Sequence, residues 1–125
     1  MEYFEPKSVD EALSLLAKHG ADATVIAGGT DVMVDIKYKE EPGCLINIKK
    51  LPGMSSIHEN GGSLRIGPLA TIRELETSAT LRDKLPVLWE AAHQFASLQV
   101  RNTATIGGNI CRASPSGETL APLLV

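Results

Sequence analysis

Cysteine is scarce in this chain: Cys44 and Cys111 are the only two, and they form no C-x-x-C pair. Neither a zinc site nor an iron–sulfur cluster can be built from these thiols alone, and a disulfide is not expected in a reducing compartment. Long apolar runs are missing as well, so no segment is suited to crossing a bilayer. Residues 1–6 show neither a basic start nor an apolar stretch, and the expectation is a cytoplasmic protein without a secretory signal. Positive charge is not in excess: 12 Lys and Arg stand against 15 Asp and Glu, for a net charge of −3. The basic residues are scattered rather than striped, which argues against a nucleic-acid partner.

Several sharply defined motifs are absent too. There is no G-x-x-x-x-G-K-[ST] and no G-x-G-x-x-G after a strand, which removes the kinase, GTPase and Rossmann readings. His19, His58 and His93 lack H-x-x-x-H or H-E-x-x-H spacing, so no metal is assigned. Ser114 and Ser116 lack the context of a nucleophile elbow, and a Ser-Pro turn accounts for them. Cys111, beside Arg112, reads as a bystander thiol.

What is present suits one folded α+β domain, 43% hydrophobic and 22% charged over 125 residues. Residues 3–5, ahead of Pro6, read as a short strand, because the residue before proline avoids helical backbone. A helix follows: Ser8 and Glu11 are spaced as a capping box, Val9, Ala12, Leu13, Leu16 and Ala17 recur at helical spacing, and Gly20 sits where helices end. Residues 24–27 form a buried-type strand, Asp31 is placed to cap a helix reaching Tyr38, and 44–48 are a third strand. This β-α-β-α-β order predicts a small parallel sheet in a first lobe, residues 1–52.

From residue 53 the pattern turns antiparallel. Residues 56–59 and 64–66 flank Asn60-Gly61-Gly62-Ser63 as a hairpin. Thr71 and Glu74 make a second capping box before a helix over 72–77, 81–85 add another helical turn, and Pro86 opens a helix carrying Val87, Leu88, Ala91, Ala92 and Phe95. Glu74 and Glu76 read as helix-stabilising first-turn acids. A helix beginning at Glu118 has neither C-cap nor basic last turn by Val125, so the second lobe, 53–125, is expected to be incomplete.

Two stretches carry chemistry. Val25-Ile26-Ala27-Gly28-Gly29-Thr30-Asp31 and Ala104-Thr105-Ile106-Gly107-Gly108-Asn109-Ile110 each place paired glycines after an apolar run, flanked by small polar residues. Glycine pairs let backbone adopt positive φ and bring N–H groups close to an anion without lysines. Two such loops predict a bound diphosphate.

Ala27-Gly28-Gly29-Thr30-Asp31 with Lys37, Ile66-Gly67 with Thr71, the run from Gln99-Val100-Arg101-Asn102 to Ile110, and Ser114-Pro115 with Glu118 together resemble the FAD-binding subunit or domain of molybdenum hydroxylases. That family includes the medium subunit of carbon monoxide dehydrogenase and the flavin domain of xanthine dehydrogenase. The resemblance implies a two-lobed FAD-binding fold, with a parallel β-α-β lobe and the start of an antiparallel α+β lobe. It implies that Val25, Ile26, Ala27, Gly28, Gly29, Thr30, Asp31 and Val32 form a first FAD loop, and Thr105, Ile106, Gly107, Gly108 and Asn109 a second. Phe95 would lie against the flavin, although from its spacing it reads equally as a core residue. Glu118 stands where the family usually has Asp on the sugar part of the cofactor.

The function this implies is electron relay between an iron–sulfur partner and an acceptor, with no side chain of the chain acting as acid or base. The partners implied are a molybdopterin-binding large subunit and a 2Fe-2S small subunit. Two alternatives stand beside it: a truncated remnant that binds no flavin and serves as a scaffold, associating as a homodimer through an exposed apolar patch, and a module for another diphosphate nucleotide.

Overall fold

Parallel pairing requires crossover connections, and the first fifty-three residues supply them with helices. The computed structural model describes residues 1–125 and divides into two compact units, Met1–Gly53 and Met54–Val125. In the first unit, β1 (Glu2–Phe4), α1 (Val9–His19), β2 (Ala23–Ile26), α2 (Val32–Tyr38) and β3 (Cys44–Asn47) follow in order. The sheet runs β1-β3-β2 with both pairings parallel, aligning Tyr3 with Leu45 and Val25 with Ile46. Central β3 is the apolar run, and Cys44, Leu45 and Ile46 are all buried.

Capping of α1 differs slightly from expectation. Ser8 Oγ accepts from the Glu11 amide at 3.1 Å, but Glu11 Oε2 accepts from Lys7 N rather than from Ser8. Gly20 ends the helix with φ +54. Of the periodic apolar positions only Ala12 is buried, while Val9 and Leu13 face solvent. In α2 no residue is buried, and Asp31 precedes it without a side-chain cap.

The second unit opens with the antiparallel hairpin β4 (Ile57–Asn60) and β5 (Ser63–Ile66). Its two-residue turn uses Gly61 at φ +54 and Gly62 at φ +87, the handedness that matches strand twist. Five α-helices follow: α3 (Ile72–Glu76), α4 (Ala79–Lys84), α5 (Pro86–His93), α6 (Leu98–Arg101) and α7 (Ile106–Arg112). Thr71 and Glu74 form the complete capping box. Ile72, Leu75, Leu81, Leu88, Ala92, Phe95, Ala104 and Ile106 make the core of this unit.

Three local expectations are corrected here. Phe95 lies beyond the end of α5, because the chain turns at Gln94 and Ala96 takes φ +40. Gly107 and Gly108 are helical, inside the first turn of α7, capped by Thr105. After Glu118 there is only a 3-10 turn, Pro122–Leu124, since the Ser114–Gly117 and Gly117–Leu120 turns and Pro122 break up any longer helix. No helix of the chain is long and apolar enough to cross a membrane.

Candidate functional site

The first glycine stretch leaves the sheet at the carboxyl end of β2, the edge where open parallel sheets place their ligand sites. Ile26 O still accepts from Ile48 N at 2.9 Å; after it the ladder stops. Gly29 takes φ +75, and its carbonyl accepts from Met33 N at 3.0 Å, which folds the chain into α2. The amides of Ala27, Gly28, Gly29 and Thr30 donate to no acceptor in the chain, although these residues are half-buried. Consecutive N–H groups without a partner in the chain are the groups from which a backbone anion site is made. Val25 and Ile26 lie in β2, Val32 begins α2, and Asp31 joins the turn to that helix.

The second stretch is built differently. Ile72 N donates to Ala104 O at 2.9 Å, Ile106 N to Ala70 O at 3.0 Å, and Gly107 N to Pro68 O at 2.9 Å. Gly108 N is held by Thr105 Oγ1 at 3.1 Å, and Asn109 N by Thr105 O at 3.0 Å. The amides of residues 106–109 are therefore already engaged. Glycine is required here for closeness: a Cβ on Gly107 would stand 2.7 Å from Pro68 O and one on Gly108 2.9 Å from Thr105 Oγ1. The expected positive φ is absent at both. Thr105 and Ile106 are buried; Asn109 turns its side chain to Thr119. Phe95 is a core residue of its unit and Glu118 is exposed.

One cluster is not anticipated by the sequence reading. Glu76, the last residue of α3 rather than a first-turn acid, is buried, and it faces three cationic or protonatable partners. Arg101 Nη1 lies 2.8 Å from Oε1, Arg73 Nη1 3.1 Å from Oε2, and His93 Nδ1 3.2 Å from Oε1. The Trp89 indole donates to Glu76 O at 2.7 Å and stacks on His93. Burial alone pushes the Glu76 carboxyl up; hydrogen bonds and charge from Arg73 and Arg101 outweigh it and leave it below its ordinary value. Arg101 also donates through Nε to Phe95 O and through Nη2 to Ala96 O, fixing the turn after α5. The signal in the sequence was the i, i+3 pair Arg73–Glu76; its link to Arg101 spans 25 residues and has no local signature.

A three-stranded parallel sheet in one unit and an antiparallel hairpin followed by helices in the other define the chain as α+β. The chain belongs to the family described as the FAD binding domain in molybdopterin dehydrogenase, which matches residues 1–125, and its cofactor is FAD. It is similar to the carbon monoxide dehydrogenase medium chain of Hydrogenophaga pseudoflava, 39% identical over 118 residues, covering 94% of this chain and 41% of the relative. It is 36% identical over 124 residues to the nicotinate dehydrogenase FAD-subunit of Eubacterium barkeri, covering 98% of this chain and 42% of that one. The crystal structure of carbon monoxide dehydrogenase from Hydrogenophaga pseudoflava superimposes with a TM-score of 0.89 at 40% identity, over 92% of this chain and 40% of that one. The chain thus spans about two fifths of the length of the relatives it matches.

Proposed function

We propose that this chain is the FAD-holding part of an electron-transfer component in a molybdenum hydroxylase-type oxidoreductase. The observation that carries this reading is the run of open amides at residues 27–30. A diphosphate offers several acceptor oxygens to such a run and needs no lysine there. Gly28 and Gly29 keep side chains out of the approach, and Val25, Ile26, Thr30, Asp31 and Val32 hold the turn between strand and helix. In the second unit, Thr105, Ile106, Gly107, Gly108 and Asn109, with Phe95 and Glu118, are the further cofactor contacts proposed. Since the amides of 106–109 are engaged internally, the role we assign to that stretch is surface and shape rather than an open amide cradle.

The redox chemistry is supplied by the flavin; the chain contributes binding, orientation and local electrostatics. The reading places it between an iron–sulfur partner and an acceptor such as NAD⁺ or a quinone, in a complex with a molybdopterin-binding large subunit and a 2Fe-2S small subunit. The relatives' descriptions as a medium chain and an FAD-subunit support that arrangement.

Titration of the purified chain with FAD, followed by flavin absorbance and fluorescence with FMN, ADP and NAD⁺ as controls, tests the proposal. Saturable, FAD-selective binding is the expected result. Absence of binding to a chain shown by circular dichroism to be folded would overturn it for this chain and favour the scaffold alternative.

A further inference from the structure

The segment that carries Glu118 is tied to α7 by one pair of side chains. Thr119 is polar yet has no exposed surface. Both of its donors converge on a single atom: its N–H, at 3.3 Å, and its hydroxyl reach Asn109 Oδ1. One turn closes ahead of it, Gly117 N donating to Ser114 O at 2.9 Å, and a second encloses it, Leu120 N donating to Gly117 O at 3.2 Å. Gly117 is closely approached by its neighbours, a Cβ there standing 2.9 Å from Leu120 Cδ1 and 3.1 Å from Ser114 O. Glu118, between these constraints, is exposed, so its backbone is fixed while its carboxylate faces outward.

The carboxamide oxygen of Asn109 is occupied by two donors from one residue, which makes it an anchor. We propose that Thr119 is a positioning residue for the cofactor site, holding the 114–120 turn to α7 through Asn109 and so setting where the Glu118 carboxylate stands. Asn109, itself among the proposed contacts, is the other end of this link. This inference rests on the FAD reading given above.

The test is a mutant cycle read by FAD affinity from flavin fluorescence. Thr119→Val keeps the shape and removes the hydroxyl; it is expected to weaken FAD binding about fivefold to tenfold, the worth of one misplaced hydrogen bond. Thr119→Ser keeps the hydroxyl and is expected to stay within about twofold of the unaltered chain. With Glu118→Gln already in place, Thr119→Val is expected to cost nothing further, because its effect acts through Glu118. A merely structural threonine would show additive losses instead. If Thr119→Val does not reach the normal circular dichroism spectrum, Thr119→Ala removes the same hydroxyl without putting a methyl in its place and carries the same expectation of coupling. Unchanged affinity in Thr119→Val, equal losses in the Ser and Val variants, or additive losses in the cycle would overturn the inference alone. Failure of the unaltered chain to bind FAD would instead overturn the flavin reading, and the positioning role with it.

Discussion

Replacing Glu76 with Gln keeps the side chain's shape but removes its charge and one of its two acceptor oxygens, so it tests what the buried carboxylate contributes. Glu76 is 7% exposed in its side chain and Arg101 17%, while Arg73 and His93 are about half exposed. On substitution the amide oxygen keeps one arginine contact as an ordinary hydrogen bond while the amide nitrogen, a donor, replaces the acceptor of the other, because Arg101 and Arg73 sit on different oxygens; one contact weakens and one is lost, roughly 1–3 kcal/mol together. Relief of the buried charge returns part of that, for a net destabilisation of about 1–2 kcal/mol. Trp89, the only tryptophan, donates to Glu76 O, so its fluorescence reports unfolding from within the cluster. In urea the unfolding midpoint is expected to fall by roughly 0.5–1 M. The sign with pH follows from the depressed carboxyl: its folded-state pKa lies below its ordinary 4.5, so the stability it adds is fully present above that value and is lost as pH falls through the folded-state pKa. The gap between the two proteins should therefore persist from neutral pH down to about 4.5 and close below it. Equal midpoints at neutral pH, or a gap that grows in acid, would refute the claim that pairing outweighs burial at this site.

Two glycine variants separate packing from binding. Gly107→Ala places a Cβ 2.7 Å from Pro68 O and 2.8 Å from Pro68 Cβ, both on a rigid proline backbone, so a loss of about 2 kcal/mol in urea unfolding is expected from overpacking. An unchanged midpoint would mean that α7 shifts at no cost. Gly29→Ala meets only the end of Ile26 at 3.1 Å but must hold φ +75, so its stability cost should be smaller, about 1 kcal/mol. Its main effect is expected in FAD affinity, an approximately tenfold weakening as the open amides are displaced; an affinity equal to that of the unaltered chain would remove this turn from the site.

Much of the fold follows from short-range pattern. The Thr71–Glu74 box, the Gly61-Gly62 turn and Pro86 at the start of α5 are local rules, and each stands in the structure where its residues put it. The parallel sheet was legible because strand and helix alternate in order; the place of β3 at its centre, where Cys44, Leu45 and Ile46 are buried, came from the structure. Elements that depend on distant partners were not legible. The short helix α6 has one capping signal, Ser97, whose hydroxyl accepts from Val100 N, and its place is secured by Arg101 reaching Glu76 and the Phe95 and Ala96 carbonyls. Such a clamp leaves no periodicity to read. Val9 and Leu13 keep their helical spacing and are nonetheless exposed, for the converse reason: helical spacing identifies an apolar face, but what covers that face is decided elsewhere in the fold.

The two Gly-Gly steps show where sequence reasoning about a site reaches its limit. Written as Ala-Gly-Gly-Thr and Ile-Gly-Gly-Asn they pose the same question, since glycine reports that a Cβ is unwelcome without saying what would exclude it. At Gly29 the reason is backbone conformation, and the surrounding amides remain open. At Gly107 and Gly108 it is proximity, to Pro68 and to Thr105, and the amides are taken by the segment 68–72 and by the helix cap. What differs is the residue ahead of each pair. Thr105 is a hydroxyl-bearing N-cap two residues before Gly107, which predisposes the following glycines to helix; Ile26, at the same offset before Gly28, offers no such acceptor, and the turn stays unsatisfied. An N-cap threonine ahead of a glycine pair is thus the local sign that its amides are engaged within the fold, and a pair lacking one is where an anion should be sought first.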